Sequence, residues 1–283
     1  MFNKKYLIAS GCSFTEGHIL KEKGSWATYF AKNNNLTLVN LGKGGAGNEY
    51  IINNTIQYSI MNKEIADNAI FGIQLSEVLR TLVCLDFPDT NGYPKYTHLT
   101  PMSFIDEQHF DNWNFNVYHN NFIYENRYSL APFFINITHA VSITINSLIN
   151  FINFCEKNNY QYFIFDGINT NIPEKTKNGW GLIGKAEIDN HKVEVMENLQ
   201  TFGEFKNNGR PIIHKSIIEY LLNIKNYIRD VQYKQYLIDI GDNEYNDSNF
   251  YLKDNVGHPN ELGSKLWAEH LQPIIEDLFG KIN

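Results

Sequence analysis

The run Tyr6-Leu7-Ile8-Ala9-Ser10-Gly11-Cys12-Ser13-Phe14-Thr15-Glu16-Gly17 decides the fold. It opens with a short apolar stretch of strand length, breaks at Gly-x-Ser, and continues into residues compatible with a helix. A strand that ends this way leaves one small hydroxyl, Ser13, at its carboxyl end, the edge where open α/β sheets bind ligands. A serine in that place is also a common helix N-cap, serving the backbone rather than a substrate. The far end of the chain bears on the choice. There His258-Pro259-Asn260-Glu261-Leu262-Gly263 opens the last helix and offers a base. A serine hydroxyl is a poor nucleophile until a neighbouring base takes its proton. Ser13 and His258 stand 245 residues apart, yet loops after the first strand and before the last helix of such a sheet can converge at one edge.

Working outward, five short apolar runs read as strands: Lys5–Ser10, Thr37–Leu41, Ala69–Leu75, Gln161–Phe165 and Gln235–Ile240. Most are separated by helical patterns or long inserts, which predicts βαβ units and an α/β, doubly wound (flavodoxin-like) parallel sheet with helices on both faces. Trp26, Tyr29, Phe30 and Leu36 fit one amphipathic helix; Tyr50, Ile51, Ile52, Ile56 and Ile60 fit another. Pro132 suits the first turn of a third, in which Phe134, Ile137, Val141, Ile145, Leu148, Ile149 and Ile152 recur at steps of three and four. The final helix carries Leu262, Leu266, Trp267, Leu271, Ile274, Ile275 and Leu278 on one face, with Asn260 placed to cap it. Two segments exceed a minimal domain of this kind: residues 86–131, rich in Asn, Tyr, Phe and His, and residues 170–215, which contain Gly179-Trp180-Gly181. Both follow strands, so both are expected near the carboxyl edge as a lid or binding surface of one domain spanning 1–283.

Composition narrows the function. With 24 Lys and Arg against 31 Asp and Glu, a net charge of −7, and no dense basic run, a nucleic-acid or anionic-membrane partner is disfavoured. Three widely spaced cysteines, Cys12, Cys84 and Cys155, indicate no disulfide framework. The apolar run at the amino terminus is too short for a signal peptide, and the longest apolar candidate, Pro132 to Phe154, is interrupted by Asn136, Thr138, His139 and Asn146. These features predict folding in a reducing cytoplasm. The nine histidines show neither H-x-x-x-H nor Cys-pair spacing, so no metal or other cofactor is expected.

The two ends together resemble the SGNH (GDSL-like) hydrolase family. Gly11-Cys12-Ser13-Phe14-Thr15 stands where that family has Gly-Asp-Ser-Leu-Ser, which matches Ser13 to the nucleophile. Asn40-Leu41-Gly42-Lys43-Gly44-Gly45 matches its second block and makes Gly45 an oxyanion donor beside the Ser13 N–H. His258 matches the catalytic histidine. Two blocks depart from the pattern. The family's Asp-x-x-His places an Asp where this chain has Asn255; Asp254 lies one residue earlier, and a bulge at Gly257 would bring it to His258, the alternatives being Asn255 itself or a dyad. The family's third-block Asn is absent from Ile73-Gln74-Leu75-Ser76-Glu77, leaving Gln74 or Ser76 to donate in its stead. Asn48, following the glycine loop at a helix start, is a further substrate-binding candidate whose commoner role is N-capping. The Gly42–Gly47 loop has neither G-x-G-x-x-G nor P-loop spacing.

The resemblance implies a serine esterase acting by acyl transfer. O-acetyl groups on carbohydrate suit the aromatic insert, and a small ester or acetylated carbohydrate is the expected partner. The competing expectation is a catalytically weakened carbohydrate-binding or virion structural protein with this fold, because the resemblance extends to phage-like proteins that open with Gly-Cys-Ser-Phe-Thr. In that case the chain would assemble into a larger particle.

Overall fold

A computed structural model describes residues 4–17, 24–76, 80–88, 94–99, 137–167, 212–213, 217, 259 and 261–280. Its centre is a parallel five-stranded sheet in the order β2-β1-β3-β6-β7, formed by β1 (Tyr6–Ser10), β2 (Thr37–Asn40), β3 (Ala69–Leu75), β6 (Gln161–Asp166) and β7 (Ile212–Ile213). Every neighbouring pair in it is parallel. This is the doubly wound arrangement expected of the strand spacing. The chain runs from β1 outward to β2, then returns to β3 on the other side of β1. The strand order therefore reverses between β1 and β3, and ligands of such sheets bind in the crevice at that point. The run 235–240, expected as the fifth strand, lies outside the described residues. The strand beside β6 is Ile212–Ile213, at the end of the segment read as an insert.

β3 is buried along its whole length, as a central strand covered on both faces must be, and it reads as a near-continuous apolar run for that reason. Alternation divides the core in two. On one face, Leu7, Ala9, Ile70, Phe163 and Phe165 pack with Trp26, Phe30, Trp267 and Leu271 from α2 (Trp26–Asn33) and the last helix, α6 (Glu261–Phe279). On the other, Ile8, Phe71, Ile73 and Ile164 pack with Ile51, Ile52, Leu148, Phe151 and Ile152 from α3 (Asn48–Met61) and α5 (Ile137–Asn158). A short α4 (Lys63–Asp67) leads from α3 to β3.

The returns from helix to strand use one device twice. Asn35 after α2 and Asn159 after α5 both take the left-handed conformation, at φ 52° and 54°. The next residue's N–H then bonds five residues back, Leu36 to Ala31 and Tyr160 to Cys155, each at 2.9 Å. That bond caps the helix and turns the chain into the following strand, with asparagine in the place glycine usually takes.

Two helix faces depart from the periodicity reading. In α3, Ile60 is 67% exposed and Met61 75% exposed, while Thr55 and Ser59 are buried. The inward positions advance from Ile51 and Ile52 through Thr55 to Ser59, so Ile60 is carried past the core. Both buried hydroxyls donate to carbonyls one turn back, Thr55 to Ile51 and Ser59 to Thr55, at 2.7 Å, which removes the penalty of burying them. In α6, Leu262 and Leu278 at the two ends are exposed, and the buried stripe is Trp267, Ala268, Leu271 and Ile275. Beyond β3, residues Thr81–Pro88 (β4) and Pro94–Leu99 (β5) form an antiparallel hairpin. The β-branched Thr81 and Val83 signal the first strand, but β4 ends inside, and β5 lies wholly within, the region 86–131 read as an insert. Residues 100–136, Asn260 and most of 170–215 lie outside the described residues. Among the described residues no helix is long and apolar enough to cross a membrane.

Candidate active site

Ser13 is the first residue of α1 (Ser13–Glu16), a single helical turn entered directly from β1 through Gly11 and Cys12. The N-cap position belongs to Cys12, which makes no side-chain capping bond. The Ser13 hydroxyl is therefore not the helix cap that its place after a strand suggests. As the first helical residue, Ser13 also has no intrahelical carbonyl for its N–H to bond. Its exposure is 7%. The turn closes at Gly17, in the left-handed conformation, whose N–H bonds the Ser13 carbonyl at 3.1 Å. Cys12 is wholly buried in the apolar cluster with Trp26 and Trp267, on the face of Leu7 and Ala9 and not on the one that strand alternation from Ile8 and Ser10 would give it, because the chain has already left the strand. Its sulfur stands 4.0 Å from the Ser13 Oγ.

The loop after β2 is stitched to this turn. Asn40 at the end of β2 donates through Nδ2 to the Thr15 carbonyl at 2.9 Å and accepts the Gly42 N–H at 2.9 Å. Lys43 N–H bonds the Gly11 carbonyl at 3.0 Å. Farther along, Asn48 reaches the residue after β3: its Oδ1 accepts the Ser76 N–H at 2.7 Å and its Nδ2 donates to the Ser76 carbonyl at 3.1 Å. The loop is thus tied at one end to β1 and at the other to β3. Gly45 lies between the two ties, buried, at φ 73°, a conformation that favours glycine. No described residue accepts a hydrogen bond from its N–H.

The register brings the third segment alongside. Ser10 pairs with Ile73, so Ser13 and Ser76 each lie three residues beyond a matched pair on adjacent strands. Ser76 is fully buried, and its Oγ has no hydrogen-bond partner among the described residues. A buried hydroxyl left unpaired costs about 1–3 kcal/mol, which marks the position as one awaiting a partner. Gln74 behaves in the opposite way. Its Oε1 accepts from Thr15 Oγ1 at 2.6 Å, and its Nε2 donates to Cys12 Sγ at 3.0 Å and to the Leu75 carbonyl at 3.3 Å. Both donors and the acceptor are engaged inside the protein, which corrects the expectation of Gln74 as a substrate-facing donor. Asn48 is likewise committed to Ser76 and, at 3.4 Å, to Thr144. It is not the N-cap of α3; Gly47 is.

Asp254, Asn255, Gly257 and His258 lie outside the described residues. The helix that follows them is held in place. Tyr29 donates to Glu261 Oε1 at 2.5 Å, and burial, then the carboxylate, push the Tyr29 hydroxyl up to a pKa of about 12. One turn along α2, Asn34 and Gln272 exchange two amide hydrogen bonds at 2.6 and 2.7 Å. His258 is three residues from Glu261, which limits it to about 10–11 Å of chain from this anchor.

Among the described residues no group of three His, Cys, Asp or Glu side chains could hold a metal ion. The sequence reading did not single out Thr15, Trp26 or Asn40 as parts of the site. Thr15 and Asn40 stood within the quoted motifs, whereas Trp26 carried no signal beyond helical spacing.

In overall shape the chain is similar to a protein of the lipolytic G-D-S-L family from Desulfitobacterium hafniense, at 9% identity and TM-score 0.47, covering 96% of this chain and 99% of that one. A member of the same family from Veillonella parvula matches at 12% identity and TM-score 0.41, covering 98% and 99%. An acetyl xylan esterase matches at 12% identity and TM-score 0.46, covering 95% and 99%. No protein-family model matches the sequence, and no curated protein does.

Proposed function

We propose that the protein is a serine hydrolase that cleaves carboxylic esters by acyl transfer. The observation that carries the reading is the placement of Ser13: on the first turn after β1, at the reversal of strand order, with the capping position left to Cys12. Ser13 Oγ attacks the acyl carbon while His258 takes its proton. The oxyanion of the tetrahedral intermediate is met by the N–H groups of Ser13 and Gly45. Ser76, whose buried Oγ lacks a partner among the described residues, supplies the third donor in place of the asparagine found in the family that the chain resembles. Collapse of the intermediate expels the alcohol, protonated by His258, and water then releases the acid by the same steps in reverse. Asp254 orients His258. The substrate we favour is an O-acetyl group on carbohydrate, because the aromatic and Asn-rich composition of residues 86–131 suits a sugar better than a lipid chain.

The test is hydrolysis of p-nitrophenyl acetate by wild type and Ser13→Ala, with folding followed by circular dichroism. Turnover by wild type that falls to background in folded Ser13→Ala supports the reading; equal rates argue against it. Asn255 at the family's Asp position favours a second reading, a binding protein with weakened catalysis. Failure of a fluorophosphonate to label Ser13 would select that reading.

A further inference from the structure

We infer that Gln74, Thr15 and Trp26 form a positioning device for Ser13, a role that rests on the acyl-transfer reading above. The four-residue α1 has no side-chain cap. A single turn does not recover the cost of helix nucleation, so something other than helix propensity must hold Ser13 in place. Beside the ties from Asn40 and Lys43, a directed chain of buried hydrogen bonds holds it. Trp26 Nε1–H donates to Thr15 Oγ1 at 2.9 Å, Thr15 Oγ1–H donates to Gln74 Oε1 at 2.6 Å, and Gln74 Nε2–H donates to Cys12 Sγ at 3.0 Å. The chain begins in α2, passes through the middle of α1, crosses to the end of β3, and finishes on the residue before Ser13. Trp26, Thr15, Gln74 and Cys12 are all 0–1% exposed.

The surroundings are shaped around Gln74. A Cβ at Gly11 would collide with Thr15 Oγ1 and with the Gln74 side chain, and a Cβ at Gly167, just beyond β6, would collide with the Gln74 amide. Two neighbouring strand ends therefore leave side-chain space for one buried amide. A fully satisfied buried polar network in low dielectric rigidifies the segment that it joins. Here that segment carries the attacking oxygen, and an ångström of misplacement is enough to slow such a reaction.

The test reacts the full chain with a fluorophosphonate and follows p-nitrophenyl acetate turnover alongside, both well below the unfolding transition. Thr15→Val keeps the shape and removes the hydroxyl at the centre of the chain. It should lower the labelling rate constant by about 10- to 100-fold, the scale of an ångström's displacement, and lower kcat with KM unchanged. A merely structural role would reduce the labelled fraction and leave the rate constant alone. Thr15→Ser, which restores the hydroxyl, should recover most of the rate. If Thr15→Val does not fold, Trp26→Phe removes the first donor together with part of a buried ring and should slow labelling in the same sense. Either variant, folded and labelled at the wild-type rate, overturns the inference. Wild-type protein that is never labelled at Ser13 overturns the acyl-transfer reading and this role together, so the wild type alone tells the two failures apart.

Discussion

The two faces of the sheet are built from similar apolar material and do different things. The face covered by α3 and α5 is closed by Ile51, Ile52, Phe71, Leu148, Phe151 and Ile152. The face covered by α2 and α6 has an aromatic floor, where Trp26 meets Phe165 edge-on at 5.0 Å between ring centroids and Trp267 leans on Phe165 at 5.3 Å. Strand alternation also turns Gln74 toward this second face, and Trp26 makes both an apolar contact and the first hydrogen bond of the chain to Cys12. Core packing and site geometry are therefore coupled on the α2/α6 side and largely separate on the α3/α5 side. The difference teaches that the same loss of packing should affect stability on one face and chemistry as well on the other.

The largest effect that would break this contrast comes from the α3/α5 side. Phe151 is fully buried, with its ring against Phe71 and Tyr162 at 6.2 and 5.8 Å. Phe151→Ala should cost about 3–5 kcal/mol in chemical denaturation, while the labelling rate constant of the protein that remains folded stays at the wild-type value. A matching drop in that rate constant would show that the two faces are not separate.

Asn48 is a deliberate exception, because it belongs to α3 and yet holds the site. Removing its side chain in Asn48→Ala leaves the N–H and carbonyl of Ser76 without their partners. The expected loss is about 1–3 kcal/mol of stability. Turnover should fall by a factor on the order of 10–100, less than the 10²–10³ that follows outright loss of an oxyanion donor. Unchanged turnover in folded protein would remove Ser76 from the mechanism while leaving Ser13 in it.

The contrast also shows what could be read beforehand. The central sheet was legible in the sequence because β1, β3 and β6 are buried on both faces and so appear as unbroken apolar runs. The Ser13 turn was legible because Gly11 and the following Ser mark a strand that stops abruptly. The commitment of Gln74 was not, since an amide looks the same in sequence whether it faces a substrate or a neighbouring threonine; only the pairing of β1 with β3 decides it. Ile60 misled because a step of four from Ile56 fits a helical stripe, while the true inward positions drift past it to Ser59. The β4/β5 hairpin was hidden by its neighbourhood, an aromatic and Asn-rich stretch whose composition dominates the reading of a short strand in or beside it.

The smallest effect concerns the contact that joins α2 to the start of α6 on the coupled face. Folding raises the Tyr29 hydroxyl from its ordinary 10.0 to about 12, by burial first and by Glu261 second. A group whose pKa is raised on folding contributes stability that is fully present below its unfolded value and is lost as pH rises through its folded one. The window here is therefore pH 10 to 12, and the neutral hydroxyl donating to Glu261 is the stabilising form. The pair lies near the surface, so solvent screening holds its contribution under about 1 kcal/mol. Tyr29→Phe should lower Tm slightly at pH 7 to 9, and the gap to wild type should close as pH approaches 12. Because Glu261 stands three residues from His258, the same variant sharpens the contrast between the faces. If Tyr29 only stabilises, the labelling rate constant at Ser13 is unchanged; if it also sets where the base begins, that rate falls together with Tm.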